Sequence, residues 1–274
     1  MLFVSDLDGT LLDHTHKIDD IVLDGIRKIL AAGHYFTICT GRSLHKAEEV
    51  NFGIDHEHMF SIGMNGAIIY KDHKTILDKK AIDKDVVSDA IETLSDDIFV
   101  RYETRLDSLY TYSYDEADAY LYKEHLFEDG HEDRMAFYAI NSKFSTTKDE
   151  ILAHDIYKIN FSMSSAKAKK TADDFIKRHR DKIVNAPWGE GFYDITDIGA
   201  DKAIATKWLA DYLNVPYDEV YTYGDSYNDL ELMRSFKNSY APSNAIDMIK
   251  DAAKHVIGDY DDHSVIKDML EKIA

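Results

Sequence analysis

The sequence lacks the features that are typical of disulfide-bonded, secreted or membrane-spanning proteins. It has one cysteine, Cys39, so no internal disulfide can form. That cysteine ends an apolar run at residues 36–39, which predicts a buried thiol. No stretch approaches the ~18 consecutive apolar residues of a membrane-spanning helix. The first residues, Met-Leu-Phe-Val, lack the basic and apolar regions of a signal peptide. We therefore expect a cytoplasmic protein with no membrane partner.

Positive charge is also scarce. Lysine and arginine number 32 against 51 aspartates and glutamates, which gives a formal net charge of −19. This balance argues against nucleic acid as a partner, because nucleic-acid binding needs a basic face. It also means that a site for an anionic ligand must be made locally positive by a metal ion, a few basic side chains or helix N-termini.

The apolar pattern predicts an α/β fold. Short apolar runs at residues 2–4, 35–39 and 59–62 predict buried strands, and helical spacing at residues 21–32 and 44–52 predicts helices between them. Strands separated by helices in this way indicate βαβ units and a parallel sheet. We expect a doubly wound, mainly parallel, Rossmann-like core sheet.

The middle of the chain has a different pattern. Strand-like segments become more polar and alternate, as in antiparallel strands with one solvated face; they lie at residues 98–102, 108–113, 136–140 and 156–163. Helical patterns lie between them, at residues 86–94, 116–125 and 166–180. The first pattern then returns. We therefore predict a core domain at 1–82 and 190–274, interrupted by an inserted α+β cap domain at 83–189.

Carboxylates follow two of the predicted core strands. Asp6 and Asp8 come directly after the first strand, with Gly9 allowing a sharp turn. Asp225 and Asp229 follow the apolar strand at residues 220–223. Ligands of an open parallel sheet bind beyond the carboxyl ends of its strands, and Mg²⁺ prefers oxygen ligands. The alternative for the first segment is a common Asp-Gly turn in an acidic loop, and for the second a Gly-Asp turn with an Asn-Asp helix cap.

Two further segments suit a phosphate group. Thr40, Gly41 and Arg42 follow the second predicted strand, where a hydroxyl and a helix N-terminus can bind a phosphate oxygen. The alternative for Thr40 is a plain N-cap of the helix from residue 44. Lys202 lies in the first turn of a predicted helix, where its charge opposes the helix dipole, so it could serve a phosphate or a carboxylate. The alternative is a solvated surface lysine.

In this order and spacing, the four segments resemble the haloacid-dehalogenase-like superfamily, nearest to its Cof-type phosphatases. The resemblance covers essentially the whole chain, and the inserted domain is similar to the cap of that branch. It is carried by Asp6-Leu7-Asp8-Gly9-Thr10-Leu11-Leu12, Thr40-Gly41-Arg42, Lys202 and Gly224-Asp225-Ser226-Tyr227-Asn228-Asp229, with support from Asn65-Gly66-Ala67 and Ser243-Asn244-Ala245. The chain departs from the pattern at Ala203, where the family usually has glycine, and at Asp201.

The resemblance implies a magnesium-dependent phosphatase of a small phosphate monoester, such as a sugar phosphate, a nucleotide or a phosphorylated cofactor. Asp6 is then the nucleophile that forms a phospho-aspartate, and Asp8 the general acid and base. The resemblance also implies the binding groups. Mg²⁺ is then held by Asp6, the Asp8 carbonyl and Asp225, with support from Asp229. The phosphoryl group is bound by Thr40, Gly41 and Lys202, with Asn228 nearby. Arg42 and Asn65 line the substrate side.

Other interpretations stay open at this point. A phosphomutase of the same superfamily shares the nucleophile and the metal, and a non-catalytic phospho-ligand-binding protein shares the binding groups. A signalling receiver domain also has acidic strand ends, but it lacks the second aspartate and needs no cap. We expect a monomer or weak dimer.

Aromatic residues in the insertion allow two readings. Tyr110, Tyr112 and Tyr114 alternate, so they are expected on one face of a strand, where they either stack on a substrate ring or cover the sheet. The loop at residues 188–191 either contacts substrate or acts as a hinge. His14 and His16 are expected to be solvated loop residues.

Overall fold

The computed structural model describes residues 1–12, 14, 17–43, 53–54, 56–71, 75–94, 97–123, 139–163, 165–189 and 191–274. The predicted helix at 44–52, most of the predicted strand at 136–140, and His16 lie outside these residues. Within them, no helix is both long and apolar enough to cross a membrane.

The strands of the described residues, in chain order, are β1 Leu2–Ser5, β2 Tyr35–Cys39, β3 Met59–Gly63, β4 Ile68–Lys71, β5 Thr75–Lys79, β6 Phe99–Glu103, β7 Ser108–Leu109, β8 Ser142–Lys143, β9 Lys158–Ser162, β10 Ile183–Gly189, β11 Phe192–Asp197, β12 Val220–Tyr223, β13 Asn238–Ala241 and β14 His255–Val256. The α-helices are α1 Asp20–Ala31, α2 Lys84–Thr93, α3 Tyr114–Lys123, α4 Lys148–Ala153, α5 Ala166–Arg178, α6 Lys202–Tyr212, α7 Leu230–Ser235, α8 Asp247–Ala252 and α9 Ser264–Ile273.

The first of two compact units contains Met1–Lys79 and Ala200–Ala274. Its sheet has the strand order β14-β13-β12-β1-β2-β3-β4-β5. Strands β14 to β3 are parallel and β4 and β5 are antiparallel, so the sheet is mainly parallel, as predicted. Phe3 packs with buried residues of α1 and α9 on one face, while Leu2 and Val4 pack with α6, α7 and α8 on the other. The sheet is therefore covered by helices on both faces, which places its ligand site at the strand ends.

The second unit contains Lys80–Gly199 and has a separate six-stranded sheet, in the order β10-β11-β9-β6-β7-β8. All its neighbouring strands are antiparallel except β7 and β8. Strand β11, which the sequence analysis placed in the core, pairs with β9 and β10. Gly191, with φ +77°, lies between β10 and β11. Because β11 belongs to this second sheet, the chain returns to the first unit after Gly199, and not after Gly189 as predicted.

The expected strand of alternating tyrosines is wrong. Strand β7 ends at Leu109, and Tyr114 begins α3. The cause is a local capping signal: Ser113 Oγ accepts from the backbone N–H of Glu116, and the Glu116 carboxylate accepts from the backbone N–H of Ser113. Tyr112 donates its hydroxyl to the Ile98 carbonyl and accepts from the Val100 N–H, and it stacks on Phe99. Its hydroxyl is thus bonded to strand backbone, which favours the sheet-covering reading.

The start of α1 generates a stability prediction. The carboxylate of the N-cap residue Asp19 accepts from the Val22 N–H at 3.0 Å and also contacts His263 Nε2. Replacing Asp19 with alanine should lower the free energy of unfolding by about 1–2 kcal/mol, because a helix cap is lost. Chemical denaturation measures this change. In the matched control Asp24→Ala, on the same helix, an exposed side chain paired with Arg27 is removed, and the expected change is within about 0.5 kcal/mol.

The same residue should give a pH dependence. Burial raises the pKa of Asp19, but the hydrogen bonds from Val22 and His263 together lower it by more than burial raises it. The pKa of Asp19 therefore lies below its ordinary value. A depressed carboxylate pKa contributes stability above the unfolded-state pKa of about 4, and this contribution is lost as the pH falls through the folded-state value. Asp19→Ala should therefore lose less stability than the wild type on acidification. Parallel acid-unfolding curves would contradict the proposed role.

Candidate active site

The predicted site residues all lie in the first unit, at the carboxyl ends of parallel strands. The backbone N–H of Asp6 donates to the Tyr223 carbonyl, which ties the end of β1 to the end of β12. The N–H of Thr40 donates to the Ile62 carbonyl, which ties the end of β2 to β3. The parallel registers of β1, β2, β3 and β12 therefore bring these segments to one edge of the sheet.

Lys202 is the centre of this edge. Its side chain is 0% exposed, and its Nζ lies 3.0 Å from Asp6 Oδ1 and 2.7 Å from Asp229 Oδ1. The alternative reading of a solvated surface lysine is therefore wrong. Lys202 is the first residue of α6, whose N-cap Asp201 accepts from the N–H groups of Ala203 and Ile204. This cap offsets the unfavourable position of a lysine in the first helical turn.

Asp229 is held by contacts to both carboxylate oxygens. Besides the bond from Lys202, its Oδ2 accepts from the N–H groups of Asp225 and Ser226, each at 3.1 Å. Gly224 is required here because a Cβ at this position would lie 2.5 Å from Asp229 Cγ. Residues Tyr227–Asp229 form a 3-10 turn that leads directly into α7.

Asp225 is oriented by the loop after β1. Its Oδ1 accepts from the Thr10 hydroxyl at 2.7 Å. Gly9 has φ +71°, and a Cβ there would lie 2.4 Å from Asp225 Oδ2, so only glycine fits. The Asn244 side chain donates to the Gly9 carbonyl at 2.8 Å. Thr10 and Asn244 lie in the segments that carry the family resemblance, but no role was predicted for either side chain.

Three carboxylates form a group that could hold a metal ion. One oxygen each from Asp6, Asp225 and Asp229 lies within 4.8 Å of the other two. Burial raises the pKa of Asp6 well above its usual range, although Lys202 acts in the opposite direction. Burial, and then the charge of Asp229, raises the pKa of Asp225 to about 7. Burial is the largest cause of both shifts, and the charges of neighbouring aspartates raise both pKa values further. An all-oxygen donor set with excess negative charge fits Mg²⁺.

The Asp8 carboxylate is not a member of that group. Arg42 donates to it twice, from Nε to Oδ2 at 2.8 Å and from Nη2 to Oδ1. Sequence reasoning placed Arg42 on the substrate side, whereas the structure directs its guanidinium to Asp8. The two residues are 34 positions apart, and they follow different strands, β1 and β2. No local sequence signal therefore indicates this pair.

A third contact brings together Asn65 and Asn228. The Asn228 side-chain amide donates to Asn65 Oδ1 at 3.0 Å. Asn65 is buried and has φ +55°, a conformation that asparagine tolerates better than most residues. A Cβ at Gly41 would lie 2.9 Å from Asn65 Oδ1, so Gly41 allows the amide pair to approach the end of β2. Thr40 is buried, and its Oγ1 accepts from the Arg42 N–H at 3.1 Å.

The structure defines a class of protein: an open α/β fold with a group of carboxylates at the carboxyl ends of its parallel strands. The sequence pattern of a family described as haloacid dehalogenase-like hydrolase matches residues 3–269. The chain therefore belongs to the haloacid dehalogenase-like hydrolase family, and the resemblance noted in the sequence is confirmed.

Known proteins resemble the chain over its full length. It is 26% identical to YwtE of Bacillus subtilis (strain 168), named a 5-amino-6-(5-phospho-D-ribitylamino)uracil phosphatase, over 95% of this chain and 93% of that protein. A haloacid dehalogenase-like hydrolase from B. subtilis has a TM-score of 0.83 at 22% identity, covering 98% of each chain.

The sugar phosphatase BT4131, of haloacid dehalogenase subclass IIB, has a TM-score of 0.76 at 19% identity, covering 100% of this chain and 99% of its own. These structures confirm the predicted fold class. The family and the phosphatase names of the curated relatives confirm the predicted enzyme class, a phosphatase.

The burial of Lys202 generates a second stability prediction. Lys202→Met should leave Asp6 and Asp229 buried without their ammonium partner and lower the free energy of unfolding by about 3–5 kcal/mol. Chemical denaturation in the absence of divalent metal measures this change. In the control Lys207→Met, on the same helix, the lost contact is to the Ser235 hydroxyl and not to a carboxylate, so the loss should be much smaller.

The pH dependence distinguishes a charge effect from a packing effect. Without Lys202, the pKa of Asp6 should rise further, because the lysine is the group that lowers it. A carboxylate whose folded-state pKa is raised above its unfolded-state value destabilises the fold while it is ionised, and this cost is lost as it takes up a proton. The stability defect of Lys202→Met should therefore narrow as the pH falls from neutral towards the unfolded-state pKa of about 4. A defect that is constant across this interval would contradict the electrostatic explanation.

Proposed function

We propose that this phosphatase is magnesium-dependent and hydrolyses a small phosphate monoester through a phospho-aspartate on Asp6. The observation that supports this most directly is the position of Asp6: a buried carboxylate at the end of β1, bonded to Lys202 and grouped with Asp225 and Asp229.

In the first step, a carboxylate oxygen of Asp6 attacks phosphorus. The Lys202 contact to Oδ1 leaves Oδ2 for the attack and offsets the charge of both the nucleophile and the phosphate. The new bond joins Asp6 Oδ2 to phosphorus, and the bond from phosphorus to the ester oxygen breaks. Asp8 gives its proton to that oxygen, so an alcohol leaves.

In the second step, water attacks the phosphorus of the phospho-aspartate. Asp8, now a carboxylate, takes a proton from this water, and the bond from phosphorus to Asp6 breaks. Inorganic phosphate is released and Asp6 is regenerated. Asp8 thus acts as acid in one step and as base in the next, which returns the enzyme to its starting state.

The proposed magnesium site uses Asp6, Asp225 and the carbonyl of Asp8. Asp229, with both oxygens already hydrogen-bonded, suits a supporting role. When bound, Mg²⁺ supplies positive charge that lets an anionic nucleophile approach an anionic phosphate. For the phosphoryl group we propose Thr40, Gly41, Lys202 and Asn228. The Thr40 hydroxyl oxygen already accepts from the Arg42 N–H, so its own proton can be donated to a phosphate oxygen.

For the substrate we propose a phosphorylated sugar, nucleotide or cofactor. The curated relative YwtE is named for a ribitylamino-uracil phosphate and BT4131 for sugar phosphates, which supports including both kinds in a substrate panel. We also propose that the inserted unit selects the leaving group, that the protein is cytoplasmic, and that it is a monomer or weak dimer. Conversion of a hexose 1-phosphate to the 6-phosphate without phosphate release would favour a phosphomutase instead.

The metal proposal predicts that hydrolysis requires Mg²⁺ and stops in excess chelator. Ca²⁺ should support it poorly, because its longer bonds and higher coordination number let it capture both Asp6 oxygens. Binding can be measured without turnover: Mg²⁺ at 100 times its Kd should stabilise the wild type by about 2.7 kcal/mol. Asp225→Asn should lose this stabilisation, whereas the control Asp247→Asn, at an almost fully exposed aspartate, should keep it. Full activity in chelator would contradict the proposal.

The roles of the two N-terminal carboxylates can be separated by substitution. Asp6→Asn keeps the shape but removes the nucleophile, so neither turnover nor a phosphoenzyme is expected. Asp8→Asn keeps the nucleophile and removes proton transfer. With p-nitrophenyl phosphate, whose leaving group needs little protonation, the first step should partly survive and dephosphorylation should slow by about 10²–10⁴-fold.

Rapid quenching measures this difference directly. Asp8→Asn should show a burst of p-nitrophenolate and a phosphoryl label on the peptide that contains Asp6. Wild-type turnover in Asp6→Asn, or a label on another peptide, would refute the mechanism.

A further inference from the structure

Arg42 is paired with the Asp8 carboxylate. Its guanidinium donates from Nε to one oxygen of Asp8 and from Nη2 to the other, which makes a bidentate arginine–carboxylate pair. Such a pair fixes the plane of the carboxylate as well as its position, which one contact cannot do. The side chains are partly accessible, 23% for Arg42 and 39% for Asp8.

The backbone of Arg42 is itself held firmly. Its N–H donates to Thr40 Oγ1 at 3.1 Å, and its carbonyl accepts from the Met64 N–H at 3.0 Å. Arg42 is thus connected to the ends of both β2 and β3, while Asp8 lies in the loop after β1. The arginine extends from a fixed support to a carboxylate on a neighbouring loop.

A carboxylate that transfers protons at a substrate needs a defined direction. Asp8 is over a third exposed, so packing alone does not select one rotamer for it. In both proposed steps its oxygen must meet either the ester oxygen or the attacking water, and misplacement by about 1 Å can cost 10²-fold in rate. A bidentate partner constrains the plane and direction of the carboxylate.

We propose that Arg42 is a positioning residue that orients the Asp8 carboxylate for proton transfer, and not primarily a phosphate-binding residue. The proposal rests on the proposed function, in which Asp8 is the acid and base. It differs from the role that the family resemblance implied for Arg42, which was to line the substrate side.

The two roles predict different kinetics. A residue that acts through Asp8 matters most when the leaving group needs a proton. Arg42→Ala should therefore lower kcat by about 10²-fold for an alkyl phosphate. The burst rate for p-nitrophenyl phosphate should change little, its steady-state turnover should fall with the slower dephosphorylation, and KM should not rise for either substrate. An arginine that binds the phosphate should instead raise KM and lower kcat/KM by similar factors for both substrates.

Arg42→Lys gives a second test, because lysine keeps the charge but offers a single cationic centre in place of the planar fork. Its kcat on the alkyl phosphate should lie between those of the wild type and Arg42→Ala. The control is Arg234→Ala, which breaks an exposed pair with Glu231 on α7 and should behave like the wild type.

A double-mutant cycle tests whether Arg42 acts through Asp8. In an Asp8→Asn background, Arg42→Ala should have little further effect on the alkyl phosphate, because the group that it positions has already been lost. Additive losses would overturn the proposal, as would an equal loss across leaving groups with a raised KM.

A structural measurement separates failure of this proposal from failure of the proposed function. Crystal structures should show one Asp8 orientation in the wild type and more than one in Arg42→Ala. A single unchanged orientation in Arg42→Ala would overturn the positioning role even if the enzyme is active. A wild type that releases no phosphate under any metal condition would refute the proposed function, and the crystal comparison would still decide whether Arg42 orients Asp8.

Discussion

The site depends on one buried ammonium group. Lys202 is inaccessible to water and lies between Asp6 and Asp229. Taking such a charge out of water is costly unless partners of opposite charge meet it at close range. The neighbouring structure provides these partners: β1 ends at Asp6, and the turn after β12 places Asp229 where only Gly224 leaves enough space. Asp201 caps the start of α6, so that Lys202, the first residue of this helix, reaches the carboxylates of Asp6 and Asp229. The sheet edge, the turn and the helix start are thus coupled through Lys202.

Sequence reasoning succeeded where burial controls the pattern. The core strands β1, β2, β3 and β12 are buried on both faces, so they read as continuous apolar runs, and ligand groups follow directly after them. It failed where a local signal competed with alternation. The tyrosines after β7 suggested a strand, but the capping pair Ser113 and Glu116 starts α3 at once. Strand β11 was assigned to the wrong unit because its pattern of buried residues does not reveal which sheet it joins.

Side-chain partners within the site could not be predicted for a different reason. Asp8 and Arg42 lie on neighbouring strand ends but 34 residues apart, and Asn65 and Asn228 are 163 residues apart. Sheet order brings such residues together, and the rotamers that packing permits decide which of them touch. The motifs identified the residues of the site, whereas the distribution of contacts among them follows only from the folded structure. This explains why the contact between Arg42 and Asp8 could not be predicted from the sequence.

The charge balance of the site connects these contacts to the acidity of the chain. With all groups ionised, Asp6, Asp8, Asp225 and Asp229 face two cations, Lys202 and Arg42, which leaves a net charge of minus two. Arg42 is occupied by Asp8, so Lys202 is the cation of this set that serves the three grouped carboxylates. A phosphate dianion would be repelled by that arrangement. Burial is the main cause of the raised pKa values of Asp6 and Asp225, and the neighbouring carboxylate charges raise them further. One divalent cation would bring the set to neutrality, so on a protein with net charge −19 the proposed metal would supply the positive charge that an anionic substrate needs in order to approach.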